Sequence, residues 1–320
     1  MTGIYEELKT PYKHGIIVTP EQGRTVDCPS VFRFGQRWYM TYIVFCGRGY
    51  ETWIAESRNL LRWKTLGRIL SFRDGTWDAN QAGGYVALQD PAWGGSYELQ
   101  RHDGRYWMTY LGGAERGCEQ GKLAIGAAWT KSPDKAAEWN HGQPVLMPDD
   151  PDARWWEKQK LFKSCAVHDE GATLGHPYVM YYNAADAQGR ERIGMAVSDD
   201  MVHWERFGSE PVIDRAAEGW QISGDPMIQK IGDLWVMFYF GLAKKADSRS
   251  AFDTFACSYD LVNWTNWDGP HLVEPSEPFD SQYAHKPYVI RHDGVVYHFY
   301  CAVGDRGRTI ALATSKELPQ

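Results

Sequence analysis

Residues 257–264 read CSYDLVNW, and close relatives of that phrase occur at 197–204 (VSDDMVHW), at 56–63 (ESRNLLRW) and, with one residue more, at 131–139 (KSPDKAAEW). The closing tryptophans, Trp63, Trp139, Trp204 and Trp264, stand 76, 65 and 60 residues apart. A period of that size marks an architecture built by repeating one supersecondary unit. Upstream of each Trp the same cassette recurs: a short apolar run, a Gly-containing turn, then an aromatic-rich stretch. It reads PSVFRFGQRWYMTY at 29–42, YELQRHDGRYWMTY at 97–110, PMIQKIGDLWVMFY at 226–239 and PYVIRHDGVVYHFY at 287–300. SCAVHDEGATLGHPYVMYY at 164–182 is the same cassette with a longer turn.

Two-residue alternation and tight turns such as HDG and FGQ read as β-meanders. Five four-stranded meanders predict an all-β fold, a five-bladed β-propeller, as one catalytic domain spanning 1–320. The repeated Trp is then structural, placed where the third strand turns into the outer one and wedged against the next blade. The fifth phrase begins TSKEL, with Ser315 and Leu318 in register with Ser258 and Leu261, and ends before its Trp at Gln320. The last blade therefore needs an outer strand from elsewhere. HGIIVTP (14–20) is the unassigned β-like stretch, so the ring is expected to close by pairing the N-terminal strand with the last blade.

Composition bounds the function. Fifteen Trp and eighteen Tyr in 320 residues favour strands. A net charge of -7 without a long basic run argues against a nucleic-acid partner. No apolar run reaches membrane-spanning length, and residues 1–15 lack a signal-peptide core. A cytoplasmic protein is expected, or a periplasmic or secreted one if a leader has been removed, as a monomer or small homo-oligomer. The six cysteines show neither C-x-x-C nor zinc-ligand spacing, which suits reduced, buried thiols. Phosphate loops, nucleophile elbows and nucleotide fingerprints are absent from the sequence.

The informative residues are those that the repeat does not need. Where the inner strands are expected to begin, the cassettes differ: Asp27 in VDCP, Glu98 in SYEL, Lys163 in FKSC, Asp225 in GDP, and His285 and Lys286 in AHKP. In a propeller these starts meet at one mouth of the channel. Unlike polar groups on a repeated scaffold favour a single central site over many equal ones. Carboxylates facing across a pocket suit glycosidic cleavage, one activating water and one protonating the leaving oxygen.

VDCPSVFRFGQRWYMTY and SGDPMIQKIGDLWVMFYFG resemble the Asp-Pro inner strands of five-bladed glycosidases, glycoside hydrolase family 43 with its relatives 32, 62, 117 and 130. GMAVSDDMVHWERF is similar to theirs too. The resemblance covers the chain blade by blade, specific for the superfamily and weak for any one family. It implies an inverting, exo-acting hydrolase of furanoside-containing, arabinofuranoside-like oligosaccharides, needing no cofactor but leaving room for a calcium or other ion on the channel axis. Asp27 would be the base and Asp225 the orienting carboxylate, with Glu98 or His285 as the acid. A family 130-type phosphorylase, with phosphate held by Lys163, His285 and Lys286, is the enzymatic alternative. A propeller that binds glycans without cleaving them is the other.

Four segments leading into the cassettes place an aromatic near a polar residue: GTWDANQ (75–81), RWWEKQK (154–160), EGWQISGDP (218–226) and PFDSQYAHKP (278–287). As rim loops they would offer Trp77, Trp156 and Trp220 as sugar platforms, with Asp78, Glu157 and Gln221 bonding hydroxyls; packing between blades is the equal alternative. DANQAGGYVALQDPAWGGS (78–96) reads as an insertion blocking the channel.

Overall fold

The computed structural model describes residues 1–245 and 248–318. A short helix α1 (Thr2–Leu8) precedes β1 (Tyr12–Val18). The first antiparallel unit is β2 (Thr25–Phe34), β3 (Arg37–Phe45), β4 (Tyr50–Ser57) and β5 (Trp63–Leu70). The second is β6 (Gln81–Val86), β7 (Tyr106–Gly113), β8 (Leu123–Thr130) and β9 (Asn140–Leu146). The third is β10 (Lys160–His168), β11 (Tyr178–Ala185), β12 (Glu191–Ser198) and β13 (Glu205–Phe207). The fourth is β14 (Trp220–Ile231), β15 (Leu234–Lys245), β16 (Ser248–Ser258) and β17 (Thr265–Asn266). The fifth has β18 (Tyr283–His292), β19 (Val295–Gly304) and β20 (Gly307–Thr314), and β1 pairs antiparallel with β20 from Tyr12↔Thr314 to Val18↔Ile310. The N-terminal strand thus supplies the fifth unit's outer edge.

The recurring phrase builds a hydrogen-bonded corner. Ser198 Oγ accepts the N–H groups of Asp200 and Met201, and Asp200 Oδ1 accepts those of Val202 and His203. Met201 takes the left-handed conformation at φ 66°, and Trp204 Nε1 donates to its carbonyl at 3.0 Å. Leu60 with Trp63 and Leu261 with Trp264 repeat this geometry. The longer second phrase departs from it: Trp139 is anchored by its backbone N–H to Ile69 O at 2.8 Å. The tryptophans pack against the preceding unit, not the following one as expected. Trp264 meets Tyr181 of the third unit, and Trp63 meets Phe299 of the fifth. The last two residues, where the fifth phrase stops short of its Trp, lie outside the described residues.

A second packing device also recurs. In three linkers the aromatic lies on a glycine of the unit it leads into: a Cβ on Gly112 would sit 2.1 Å from the Trp77 ring, one on Gly194 2.0 Å from Trp156, and one on Gly241 2.4 Å from Trp220. The carboxylate beside the aromatic accepts from a second-strand tyrosine. Tyr110 donates to Asp78 at 2.9 Å, Tyr182 to Glu157 at 2.6 Å and Tyr300 to Asp280 at 2.9 Å. The first unit has no linker aromatic; Trp53 on β4 stands opposite Tyr42, where the second and third units have Gly126 and Gly194. Trp77, Trp156, Trp220, Asp78 and Glu157 are therefore packing residues rather than sugar platforms.

Two further expectations change. The inner strand of the second unit is β6, inside the stretch read as a channel-blocking insertion. YELQ instead returns from a loop at the far end of that strand, where Glu98 faces Arg33 at 4.0 Å. Trp93 of the same loop is tied to Lys230 by its backbone N–H and to Glu7 of α1 by Nε1. Arg33 lies six residues along β2 from Asp27, about 20 Å at the usual rise of a strand. Glu98 is thus at the opposite end of the units from Asp27.

Candidate active site

Four inner strands break register at the same step: Asp27 to Ser30 in β2, Leu161 to Ser164 in β10, Gly224 to Met227 in β14 and His285 to Tyr288 in β18. At each, three residue steps oppose two on the partner, a one-residue bulge that re-aims side chains. Cys28, Asp225 and Lys286 hold positive φ there (48°, 54° and 65°), each followed by proline. The register makes Cys28, Asp225 and Lys286 equivalent, while Asp27 matches Gly224 and His285. VDCP and GDP are therefore offset by one residue, and one residue along a strand turns a side chain to the other face.

These bulges border a cleft of about 190 Å³ that holds Lys163, Asp225, His285 and Lys286 from the sequence reading, with Cys28 in the place where Asp27 was expected. It also holds Glu119, Glu191, Arg308, Asn183 and Tyr50, which that reading missed. Inner and third strands run in the same direction, so third strands also begin at this mouth: Tyr50 opens β4, Glu191 opens β12 and Arg308 follows the first residue of β20. Glu119 sits in the turn leading to β8. Polar residues at third-strand starts were the signal that could have found them. Below the cleft, the cavity between the inner strands shrinks to about 20 Å³, room for about one water. Tyr85 and Lys163 border both spaces.

Asp27 is fully buried. Its Oδ1 accepts the Cys28 N–H, and Oδ2 takes Lys286 Nζ at 2.9 Å and Arg308 Nη1 at 2.6 Å. Burial alone would favour its neutral form, but the two cations hold its carboxyl well below the usual carboxylate range. An acid held ionised this way is a poor proton acceptor. Asp27, expected as the base, fixes the two cations that line the cleft and is not itself among its lining residues. Burial would discharge Lys286, yet Asp27 and the neighbouring acids keep its pKa well above the ordinary lysine value.

His285 does not suit the role of acid. Burial first, then Arg308 and Lys286, push it down to about 3, so the ring is neutral. Its Nδ1 donates to the Cys301 carbonyl at 3.1 Å, leaving Nε2 as an acceptor. Glu191 has the opposite character: burial, reinforced by the charges of Glu119 and Asp225, pushes it up to about 8. Asn183 Nδ2 donates to it at 2.6 Å. Burial also raises Glu119, with Lys286 and Arg308 pulling against that rise. Asp225 is buried and accepts from the Cys28 thiol at 3.3 Å. Gln221 donates to the Gly189 carbonyl at 2.6 Å and is not among the residues lining the cleft.

The site therefore gathers Glu119, Glu191 and Asp225 in one cleft, with Glu191 pushed up to about 8. Among the described residues no group of three or more His, Cys, Asp or Glu side chains could hold a metal ion, and no helix is long and apolar enough to cross a membrane.

No family model matches the chain. The protein in a BT0996 RGII complex is 52% identical with a TM-score of 0.95, over 100% of this chain and 95% of that one. A glycoside hydrolase is 51% identical with a TM-score of 0.94, over the same shares of the two chains. A thermostable family-43 glycoside hydrolase, 19% identical with a TM-score of 0.61 over 93% of this chain and 95% of its own, shares the fold. A 1,2-beta-oligomannan phosphorylase of Thermoanaerobacter is 31% identical over 144 residues, 42% of this chain and 45% of that protein.

Proposed function

The chain belongs to the β-propeller glycoside hydrolase superfamily, and we propose that it is a hydrolase removing one terminal sugar from an oligosaccharide, with Glu191 as general acid and Glu119 as the carboxylate opposite it. The observation that carries this reading is Glu191, a cleft carboxyl pushed up to about 8 beside Glu119 and Asp225. Two carboxyl groups whose environments separate their roles divide into acid and base.

In this reading Glu191 gives its proton to the glycosidic oxygen as that bond breaks. Glu119 takes a proton from the water that attacks the anomeric carbon, which is the inverting course implied by the family resemblance. Lys286 and Arg308 oppose the burial that raises Glu119. Asp225 receives a sugar hydroxyl and, by its charge, keeps the proton on Glu191. Asp27 holds the two cations in place. The protein's own acids and bases suffice for these steps, without a cofactor.

The five units are read as blades of a closed ring forming one catalytic domain. Support comes from the β1–β20 pairing, Trp63 against Phe299, and the ion pairs from Lys286 and Arg308 to Asp27. The narrowing from about 190 Å³ in the cleft to about 20 Å³ below it favours removal of end residues over cleavage within a polymer. Arabinofuranosides are the leading substrate class, and oligosaccharides derived from RGII are the first to test. Phosphorolysis is the second reading, favoured by the similarity to the oligomannan phosphorylase and by three cationic side chains, Lys163, Lys286 and Arg308, at the cleft.

The test uses arabinofuranosides, xylosides, galactosides, mannosides and RGII-derived oligosaccharides, each with and without phosphate, for wild type, Glu191→Gln and Glu119→Gln. Glu191→Gln is expected to lose about 10²–10⁴-fold on natural linkages but little on aryl glycosides whose leaving group needs no proton. Glu119→Gln should lose activity on both. Turnover that requires phosphate moves the protein to the phosphorylases, and equal losses on both substrate types remove Glu191 as the acid.

A further inference from the structure

Lys163 is 2% exposed, and its Nζ is buried without a hydrogen-bond partner among the described residues. It stands in the bulge of β10, 5.5 Å from the centroid of the Tyr85 ring, where the cleft gives way to the water-sized cavity below. Burying N–H groups with no acceptor is unfavourable, and an apolar side chain would serve a purely structural role better. The other two cations at the cleft differ, because Lys286 and Arg308 both meet Asp27. The missing acceptor is one that a ligand can bring.

We infer that Lys163 is a specificity-determining residue, donating from the cleft floor to a ring hydroxyl of the bound terminal sugar remote from the bond that breaks. This rests on the reading of the cleft as a glycosidase site. A hydroxyl suits the floor better than an anion. It accepts from Lys163 while giving its own proton to an acceptor such as Asp225, whereas an anion would face the Asp225 and Glu119 carboxyls lining the same cleft. Recognition of a hydroxyl that only a terminal sugar offers accounts for removal of end residues.

The test compares wild type, Lys163→Met and Lys163→Gln on a cleaved glycoside and on analogues lacking one ring hydroxyl each. Melting curves confirm that the variants fold, and the Gln variant keeps an N–H donor should Met fail. A site built to bond a hydroxyl discriminates strongly against its loss. Lys163→Met is expected to lower kcat/KM by about 10²-fold on the parent and by less than about threefold on one particular deoxy analogue, with partial recovery in Lys163→Gln. Calorimetry with the free monosaccharide should show the same pattern in affinity, which keeps the test open if no glycoside is cleaved. Equal losses on the parent and every analogue overturn the proposal, as does unchanged monosaccharide affinity. So does a defect that saturating phosphate repairs, which would make Lys163 a phosphate ligand. A wild type that binds the monosaccharide but cleaves nothing refutes the hydrolase reading and leaves the Lys163 assignment to the calorimetry.

Discussion

The outer corners and the inner bulges repeat in opposite ways. At the corners, Ser198 and Ser258 support the same turn, Met201 and Leu261 the same left-handed residue, and Trp204 and Trp264 the same indole hydrogen bond. At the bulges the backbone and the proline after it recur, while the residue carried at the equivalent step changes from Cys28 to Asp225 to Lys286. Units facing the same packing problem converge on the same side chains. A single asymmetric site needs one geometry presented several times with different chemistry on each copy.

If that contrast is correct, the largest effect comes from substitutions at the cleft that leave the scaffold intact. Asp225→Asn should reduce kcat/KM by about 10²–10³-fold while leaving the melting temperature within a few degrees, read by parallel kinetics and calorimetry. Trp204→Ala should do the reverse, costing about 3–5 kcal/mol of stability in urea unfolding with unchanged turnover per folded molecule. A Trp204→Ala protein that is stable but inactive would erase the distinction between the two regions.

Smaller effects sharpen the same contrast. Gly194→Ala drives a methyl into the Trp156 ring and should cost about 1–3 kcal/mol. Ser258→Ala removes the acceptor for the Asp260 N–H and should cost about 1 kcal/mol, with no change in kcat. At the cleft, pH separates binding from chemistry. The folded state holds a proton on Glu191 up to about 8, whereas the ordinary glutamate value is 4.5. Its contribution to stability is fully present below that ordinary value and is lost as the pH rises through about 8. Glu191→Gln should therefore flatten the fall in stability between those limits, measured against wild type in the same buffers.

Much of the fold was legible because strand alternation and tight turns are local signals. The second unit misled for a local reason. HDG at 102–104 does form a tight turn, with Asp103 and Gly104 at positive φ, but it closes a returning loop. The true inner strand, QAGGYV, has little of the aromatic alternation that marks its counterparts. Lys163, Asp225, His285 and Lys286 were found because they stand at inner-strand starts. Glu119, Glu191 and Arg308 were missed because their convergence depends on third strands opening at the same mouth, a property of topology rather than of any motif. The Asp27 alignment failed through the one-residue difference between VDCP and GDP. The Trp–acid pairs were ambiguous, since the same dipeptide serves a packing layer and a sugar platform equally well.

The most direct test of the central claim is a titration of the Glu191 carboxyl carbon by ¹³C NMR in the folded enzyme, assigned by the signal that Glu191→Gln removes. A midpoint near 8 is the result predicted for an acid that keeps its proton at neutral pH. A midpoint near 4.5 would leave Glu191 ionised there and contradict its role as the proton donor.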